Sequence, residues 1–274
     1  MSETIQIHET AFITSSYRAT DKNLSQDSYA HLWSNPKTDV WIQQILEQVS
    51  KEEPLMHCLR NRYFFDQINT QFRKGKIDYL INFGAGFSMY PFMVDEGIQH
   101  IEIDKSAVID YKSNKIKQWT AEGLLPKKKI QYIAADFITD DFSTVLNTIK
   151  GITGESRSFI LLEGVLFFLS PTITQSLFSL FHDIQNSGSI VGAVSFNPND
   201  ASKKVYKRLI EFFKRTIDIN FSPYLIKDSF YSSIPHYTLI EHTNYTECLK
   251  QYCKAYKIEE QDYLNEHIYL MEKI

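Results

Sequence analysis

The 274-residue chain is 43% hydrophobic and 23% charged, which supplies a core without metal or disulfide staples and excludes disorder and collagen-like repeats. Lys plus Arg number 29 against 33 Asp plus Glu, a formal charge of −4, so there is no sequence-wide basic field for a nucleic-acid backbone and no nucleic-acid partner is expected. Three cysteines without paired spacing (Cys58, Cys248, Cys253), no basic-then-apolar start and no apolar run near the ~20 residues that cross a bilayer predict a cytoplasmic protein with no membrane partner and no metal.

Up to residue 76 the apolar positions recur with helical spacing: Trp41, Ile45, Leu46 and Val49 after Pro36, then Phe64, Ile68 and Phe72 before Gly75. Residues 1–76 therefore read as a helical N-terminal cap, and residues 77–274 as a second unit of different texture. There, short β-rich runs at 77–83, 99–103, 130–135, 158–163 and 189–196 alternate with helical stretches. Between the last two runs, Ser170 and Pro171 form a helix start and Ile173, Leu177, Phe181 and Ile184 a stripe. A helix is predicted over about 200–217, with Val205, Leu209, Phe212 and Phe213 inward and Lys203, Lys204, Lys207, Arg208, Lys214 and Arg215 on a solvated face. Residues 220–235, rich in aromatics and turn formers, read as a loop or lid within a broader segment at 200–235. Two late strands, 237–242 and 266–272, enclose a helix near 245–256. The fold class expected is α/β, a Rossmann-like, mostly parallel seven-stranded sheet flanked by helices.

Only 10 glycines occur, below the usual share of roughly 7%, and two of them, Gly84 and Gly86, fall together where the first strand ends. Glycines at the first strand-to-helix turn let backbone approach a ligand, which is where open α/β sheets bind nucleosides; a helix is expected to follow around Tyr90-Pro91-Phe92. Asp104 closes the second run, twenty residues beyond Gly84, where an acid accepts hydrogen bonds from ribose hydroxyls. Asp136 closes the third run and Glu163 the fourth, so three acids share one register and one crevice. Each alone is as readily a helix cap. A dinucleotide site carries a third small residue three after Gly86, where this chain has Met89. Crowded acids oppose a diphosphate and suit a cationic sulfonium with a free amino group, so S-adenosyl-L-methionine is favoured over NAD.

These residues resemble the leucine carboxyl methyltransferase family and its bacterial relatives described as O-methyltransferases of polyketide biosynthesis. The matching segments are Arg60-Asn61-Arg62-Tyr63-Phe64-Phe65-Asp66, Ile81-Asn82-Phe83-Gly84-Ala85-Gly86, Ile101-Glu102-Ile103-Asp104, Ala134-Ala135-Asp136, and Leu162-Glu163-Gly164-Val165-Leu166-Phe167-Phe168-Leu169. They run from about residue 11 to 196. The resemblance implies that Arg60 pairs with the methionine carboxylate, a match for the guanidinium fork, with Arg62 the alternative. It implies that Arg18 helps close over the cofactor, Gly84, Ala85 and Gly86 line the methionine part, Asp104 takes the ribose, Asp136 and Phe137 the adenine, and Glu163 the amino group. Relatives commonly follow the glycine turn with a residue and then Asp-Thr, and have Asp-Pro where this chain has Asp27-Ser28; here the turn continues Phe87-Ser88-Met89.

The implied reaction is in-line methyl transfer to a carboxylate or hydroxyl oxygen of a small-molecule acceptor, giving S-adenosyl-L-homocysteine. A carboxylate needs no general base near pH 7, whereas a hydroxyl benefits from one. His236 and His242 flank a late strand and either is a possible base, although a polar strand end is the simpler reading; no catalytic residue is assigned. Tyr224, Tyr231, Tyr237, Phe221 and Phe230 form either a substrate wall or core, and Cys58 reads as core. The rival readings are a protein C-terminal carboxyl methyltransferase, a non-catalytic S-adenosyl-L-methionine-binding module and an NAD-dependent oxidoreductase. A monomer or homodimer is expected.

Overall fold

A computed structural model of the protein describes residues 9–139 and 142–274. In chain order the elements are α1 (Thr10–Ala19), α2 (Lys22–Ser25), α3 (Pro36–Gln48), α4 (Glu53–Arg73), β1 (Tyr79–Phe83), β2 (Gln99–Asp104), α5 (Ser106–Ala121), β3 (Ile130–Ala134), α6 (Phe142–Thr153), β4 (Ser158–Leu162), α7 (Pro171–Ile184), β5 (Ile190–Ser195), α8 (Lys204–Thr216), α9 (Asp228–Ser232), β6 (Tyr237–Asn244), α10 (Tyr245–Tyr252) and β7 (His267–Lys273). Several helix starts follow from single side chains. Asn35 accepts from the Lys37 N–H before Pro36, Ser170 from the Ile173 N–H before Pro171, and Asn244 from the Glu247 N–H, each satisfying a donor with no partner inside its helix.

The strands form one seven-stranded sheet in the order β3-β2-β1-β4-β5-β7-β6. Pairs β1–β2, β1–β4, β2–β3 and β4–β5 are parallel, whereas β7 runs antiparallel to both β5 and β6. The seven-stranded, mostly parallel sheet expected from the alternating pattern is thus present. Alternation along β1 divides the core: Tyr79, Ile81 and Phe83 face one cluster with α6 and α7, and Leu80 faces another containing Met56, Leu59, Phe64 and Ile68 of α4 and Tyr245, Cys248 and Leu249 of α10. Helix α4 is therefore one of the layers that cover the sheet. Cys58 is buried and unpaired with any other cysteine.

Two expected elements differ. The helix anticipated after the glycine turn is a single 3-10 turn, Tyr90–Phe92. Met89 and Tyr90 are fully buried, so core packing overrides helix formation. The helix anticipated over 200–217 is split into a 3-10 turn, Pro198–Ser202, and α8, with Lys203 extended between them and its ammonium 2.9 Å from Asp200. The basic face of α8 is largely exposed, as a solvated face should be. Within residues 220–235, Ile226, Tyr231 and Ile234 are buried in the sheet core. Among the described residues, no helix is long and apolar enough to cross a membrane.

Candidate functional site

Parallel strands present their carboxyl ends along one edge of a sheet, and the connections there bound a crevice. In this molecule β1 ends at Phe83 and the chain turns sharply, with Gly84 at φ +73° and Gly86 at φ +44°, a region that disfavours other residues. A Cβ built on Gly84 would lie 2.3 Å from Val165 Cγ2, so the turn also lets the loop after β4 come close. The N–H groups of Gly84 and Ala85 both donate to the Ile103 carbonyl, at 2.8 and 3.1 Å. This locks the turn against the end of β2.

Asp104 is fastened to the same turn. Its Oδ2 accepts from the Gly86 N–H at 2.8 Å and its Oδ1 from the Lys105 N–H at 2.8 Å. Burial raises its pKa, and the two backbone donors counter part of that rise. Asp136, after β3, accepts from the Ile138 N–H at 3.0 Å and lies 3.1 Å from the Lys105 ammonium; chiefly through that N–H its carboxyl is held below the usual range. Phe137 packs beside Phe83, with ring centroids 5.7 Å apart.

Across the cleft, Arg60 projects from α4. Its Nε donates to Glu163 Oε1 at 2.9 Å, and its Nη1 to Glu266 Oε2 at 2.7 Å and to the Tyr245 hydroxyl at 3.4 Å. Tyr245 donates a very short bond to Glu266, and the Tyr90 hydroxyl donates to Glu163 Oε2 at 2.8 Å. Two turns earlier on α4 is Glu53, whose pKa burial pushes up to about 8, with Glu266 adding to the rise and Arg60 opposing it. Glu53 is thus neutral near pH 7, and the centre holds one fixed positive charge between two carboxylates.

Arg18 closes the cleft from α1. Its Nε lies 3.1 Å from Asp27 Oδ2, and its Nη2 donates to Ser15 Oγ and the Phe87 carbonyl, both at 3.0 Å. The residues beside the departures from the family pattern have places here. Asp27, before Ser28, is the counter-ion of Arg18, and the ring of Phe87, before Ser88 and Met89, stacks on Trp33 with centroids 4.4 Å apart. Both fasten the N-terminal helices to the glycine turn.

Arg18, Arg60, Gly84, Ala85, Gly86, Asp104, Asp136, Phe137 and Glu163 all line one cavity of about 380 Å³, within the roughly 300–1,000 Å³ typical of small-molecule sites. Arg62 lies outside it, 3.0 Å from Asp66 on the helix surface. Glu266, Tyr245 and Tyr90 join the Arg60 group beyond the residues expected from sequence. Glu266 had a signal: it stands at the start of β7, and an antiparallel strand begins at the edge where its parallel neighbours end. The two histidines of the late strand fall at opposite ends. His236 stacks on His182 at 4.1 Å, away from the cleft, and His242 pairs with His267 at 3.0 Å, also outside the cavity lining. Tyr231 and Tyr237 are core, donating to Ser195 and Gln185 at 2.8 Å, while Phe221 packs 6.0 Å from Phe168, which lines the cavity.

The sequence profile described as leucine carboxyl methyltransferase matches residues 9–182. A protein from Mycolicibacterium paratuberculosis (strain ATCC BAA-968 / K-10), provisionally named an S-adenosyl-L-methionine-dependent methyltransferase, is 27% identical over 150 residues, 54% of this chain and 46% of its own length. A similarly named protein from Mycobacterium marinum (strain ATCC BAA-535 / M) is 27% identical over 161 residues, 58% of this chain and 52% of its own. The chain thus spans about half the length of the curated relatives it matches. Among solved structures, a provisionally named methyltransferase from Thermobifida fusca superposes with TM-score 0.65 at 11% identity, covering 99% of this chain and 95% of that one. A DUF574 family protein from Streptomyces avermitilis superposes with TM-score 0.64 at 10% identity, covering 97% of each. The last two likenesses are of fold.

Proposed function

Because the chain belongs to the leucine carboxyl methyltransferase family, we propose that the cavity binds S-adenosyl-L-methionine and that the protein transfers its methyl group to a carboxylate oxygen of a small acceptor. The observation that carries this reading is the meeting of the glycine turn, Asp104, Asp136 and the Arg60–Glu163 pair on one cavity. The charge pattern fits the group. One guanidinium between Glu163 and Glu266, with Glu53 neutral, leaves an excess negative charge beside the cleft, which favours a sulfonium and an ammonium.

In this reading Asp104 takes the ribose hydroxyls, and Asp136 with Phe137 bounds the adenine. Glu163 faces the amino group. Arg60 offers Nη2, which lies over Gly164, to the methionine carboxylate. Arg18, committed to Asp27, Ser15 and the Phe87 carbonyl, acts by holding α1 against the glycine turn. When bound, S-adenosyl-L-methionine supplies a methyl carbon made electrophilic by the attached sulfonium, with S-adenosyl-L-homocysteine as the leaving group. The protein contributes alignment of the acceptor oxygen and exclusion of water; Val165, Phe168 and Leu169 give the cavity an apolar wall for the acceptor's body. No histidine lines the cavity among the described residues, which favours a carboxylate acceptor over a hydroxyl, since the former is already ionised.

Calorimetric titration with S-adenosyl-L-homocysteine tests the cofactor, and Asp104→Ala should weaken binding roughly 10- to 100-fold, the effect of removing hydrogen bonds to a charged group. Unchanged affinity in that variant, or binding of NAD or ATP in its place, overturns the assignment. With labelled S-adenosyl-L-methionine and a panel of hydrophobic carboxylic acids and phenols, the expected product is a methyl ester, cleaved by mild base; a base-stable ether would show a hydroxyl acceptor.

A further inference from the structure

Beyond the cleft, one cluster combines ligand chemistry with unspent polar capacity. His242 on β6, His267 on β7 and Asp228 on α9 converge where these three elements meet. His242 Nε2 and His267 Nδ1 are 3.0 Å apart, and Asp228 Oδ1 is 3.8 Å from each. Metal–ligand bonds of roughly 2.0–2.2 Å in a tetrahedron put ligand atoms about 3.3–3.6 Å apart, so small side-chain rotations bring all three onto one ion. The orienting groups are present as well. Asp228 Oδ1 accepts from Asn197 Nδ2 at 2.8 Å and from the Tyr269 hydroxyl at 2.5 Å, and His242 stacks on the Tyr269 ring.

A second observation concerns a fourth residue. Asp200 is 3% exposed, and its Oδ2 is buried with no hydrogen-bond partner. That oxygen lies 3.7 Å from His267 Nε2, just beyond bonding distance. A buried unsatisfied acceptor is costly, and it would be satisfied by a proton held on His267 Nε2. That tautomer leaves the Nδ1 lone pair facing His242 and Asp228, the carboxylate–histidine–metal arrangement that fixes a ligating ring. The charged groups around the cluster are Asp200, Asp228 and Lys203, the last 2.9 Å from Asp200 Oδ1, so the site favours a cation.

We propose that His242 Nε2, His267 Nδ1 and the Asp228 carboxylate bind a divalent transition-metal ion of the zinc class, with Asp200 orienting His267 and the ion tying α9 to the β6–β7 pair. Two imidazoles and one carboxylate suit Zn²⁺, Co²⁺ or Ni²⁺ rather than Mg²⁺. The His242 side chain is 31% exposed and that of Asp228 48%, so solvent completes the coordination and gives the ion access.

The test is calorimetric titration of the chelator-treated full chain with ZnCl₂, with MgCl₂ as control. One equivalent of Zn²⁺ should bind and raise the melting temperature. His267→Gln and His242→Gln should each weaken binding at least 100-fold, and Asp200→Asn 10- to 100-fold, with S-adenosyl-L-homocysteine affinity unchanged in Asp200→Asn. Co²⁺ bound to the wild-type chain should show the intense visible absorption of a low-coordinate, imidazole-ligated ion, a readout that depends on no variant folding. Absence of saturable Zn²⁺ binding, an octahedral Co²⁺ spectrum, or wild-type affinity in the double glutamine variant overturns the proposal.

Discussion

Two buried cationic centres stand on either side of the glycine turn, and they differ in balance. Beneath the turn, Lys112 of α5 meets Glu102 of β2 at 2.8 Å, both side chains at most 2% exposed, and reaches the Ala85 carbonyl at 3.4 Å. Burial pushes the Lys112 pKa down and that of Glu102 up, each opposed by its partner. One charge answers one charge, and neither residue lines the cavity. On the other side, Arg60 faces two carboxylates from different strands, and two members of that group, Arg60 and Glu163, do line it. A closed pair supports structure; an unbalanced group beside a cleft, in the function proposed above, favours a further cation.

That contrast breaks most sharply at Arg60. Arg60→Met leaves the half-buried Glu163 and Glu266 facing each other without a counter-charge, expected to cost ~3 kcal/mol of stability and at least 100-fold in S-adenosyl-L-homocysteine affinity; urea unfolding and calorimetry below the melting point separate the two losses. Arg60→Lys should recover much of the stability and little of the affinity, because an ammonium lacks the fork. Lys112→Met should also cost ~3–5 kcal/mol by stranding Glu102, yet keep affinity in the folded fraction within about threefold. Adding Glu102→Leu should restore most of that stability. If the single variant instead lost binding as completely as Arg60→Met, the contrast between the centres would not hold.

The pH dependence sharpens the contrast further. Glu53 carries a folded pKa of about 8 against an ordinary value of 4.5. Its raised pKa means that the stability it contributes is fully present below pH 4.5 and is lost as pH rises toward 8. Glu53→Gln should therefore gain stability over the parent at pH 8 and show little difference at pH 5, measured by urea unfolding at both values. The smallest effect is expected far from either centre. Gly151 lies within α6 with open space where a Cβ would stand, so Gly151→Ala should raise stability by ~0.5–1 kcal/mol without changing affinity.

The sheet was legible because hydrophobic alternation and turn residues act locally, and five parallel-edge runs fell within a residue or two of β1–β5. Five of the cavity residues, Gly84, Gly86, Asp104, Asp136 and Glu163, were legible for a similar reason: strand ends, glycines and acids lie close in sequence to the elements that aim them, whereas Arg18, Arg60, Ala85 and Phe137 were indicated only by the family resemblance. What escaped depends on distant packing. Nothing near Tyr90 marks it as the donor to Glu163, 73 residues on, nor Tyr245 as a partner of an arginine 185 residues earlier. The missing helix after the glycine turn has the same origin, since Tyr90 is drawn into a core shared by α4, β4 and α10, and Met89 into another with Phe12, Trp33 and residues of α5.

The position of β7 has a consequence for the order in which the molecule is assembled. This strand lies between β5 and β6, so β6, some thirty residues earlier in the chain, has no strand to join until residues 267–273 have paired. Glu266 arrives with them, and with it the second carboxylate of the Arg60 centre. A sheet that has paired β1 to β5 but not yet taken in β7 can therefore hold its glycine turn and Asp104 in place while the electrostatics of the cleft remain unfinished, and the docking of β7 becomes the step at which the cavity acquires its final charge.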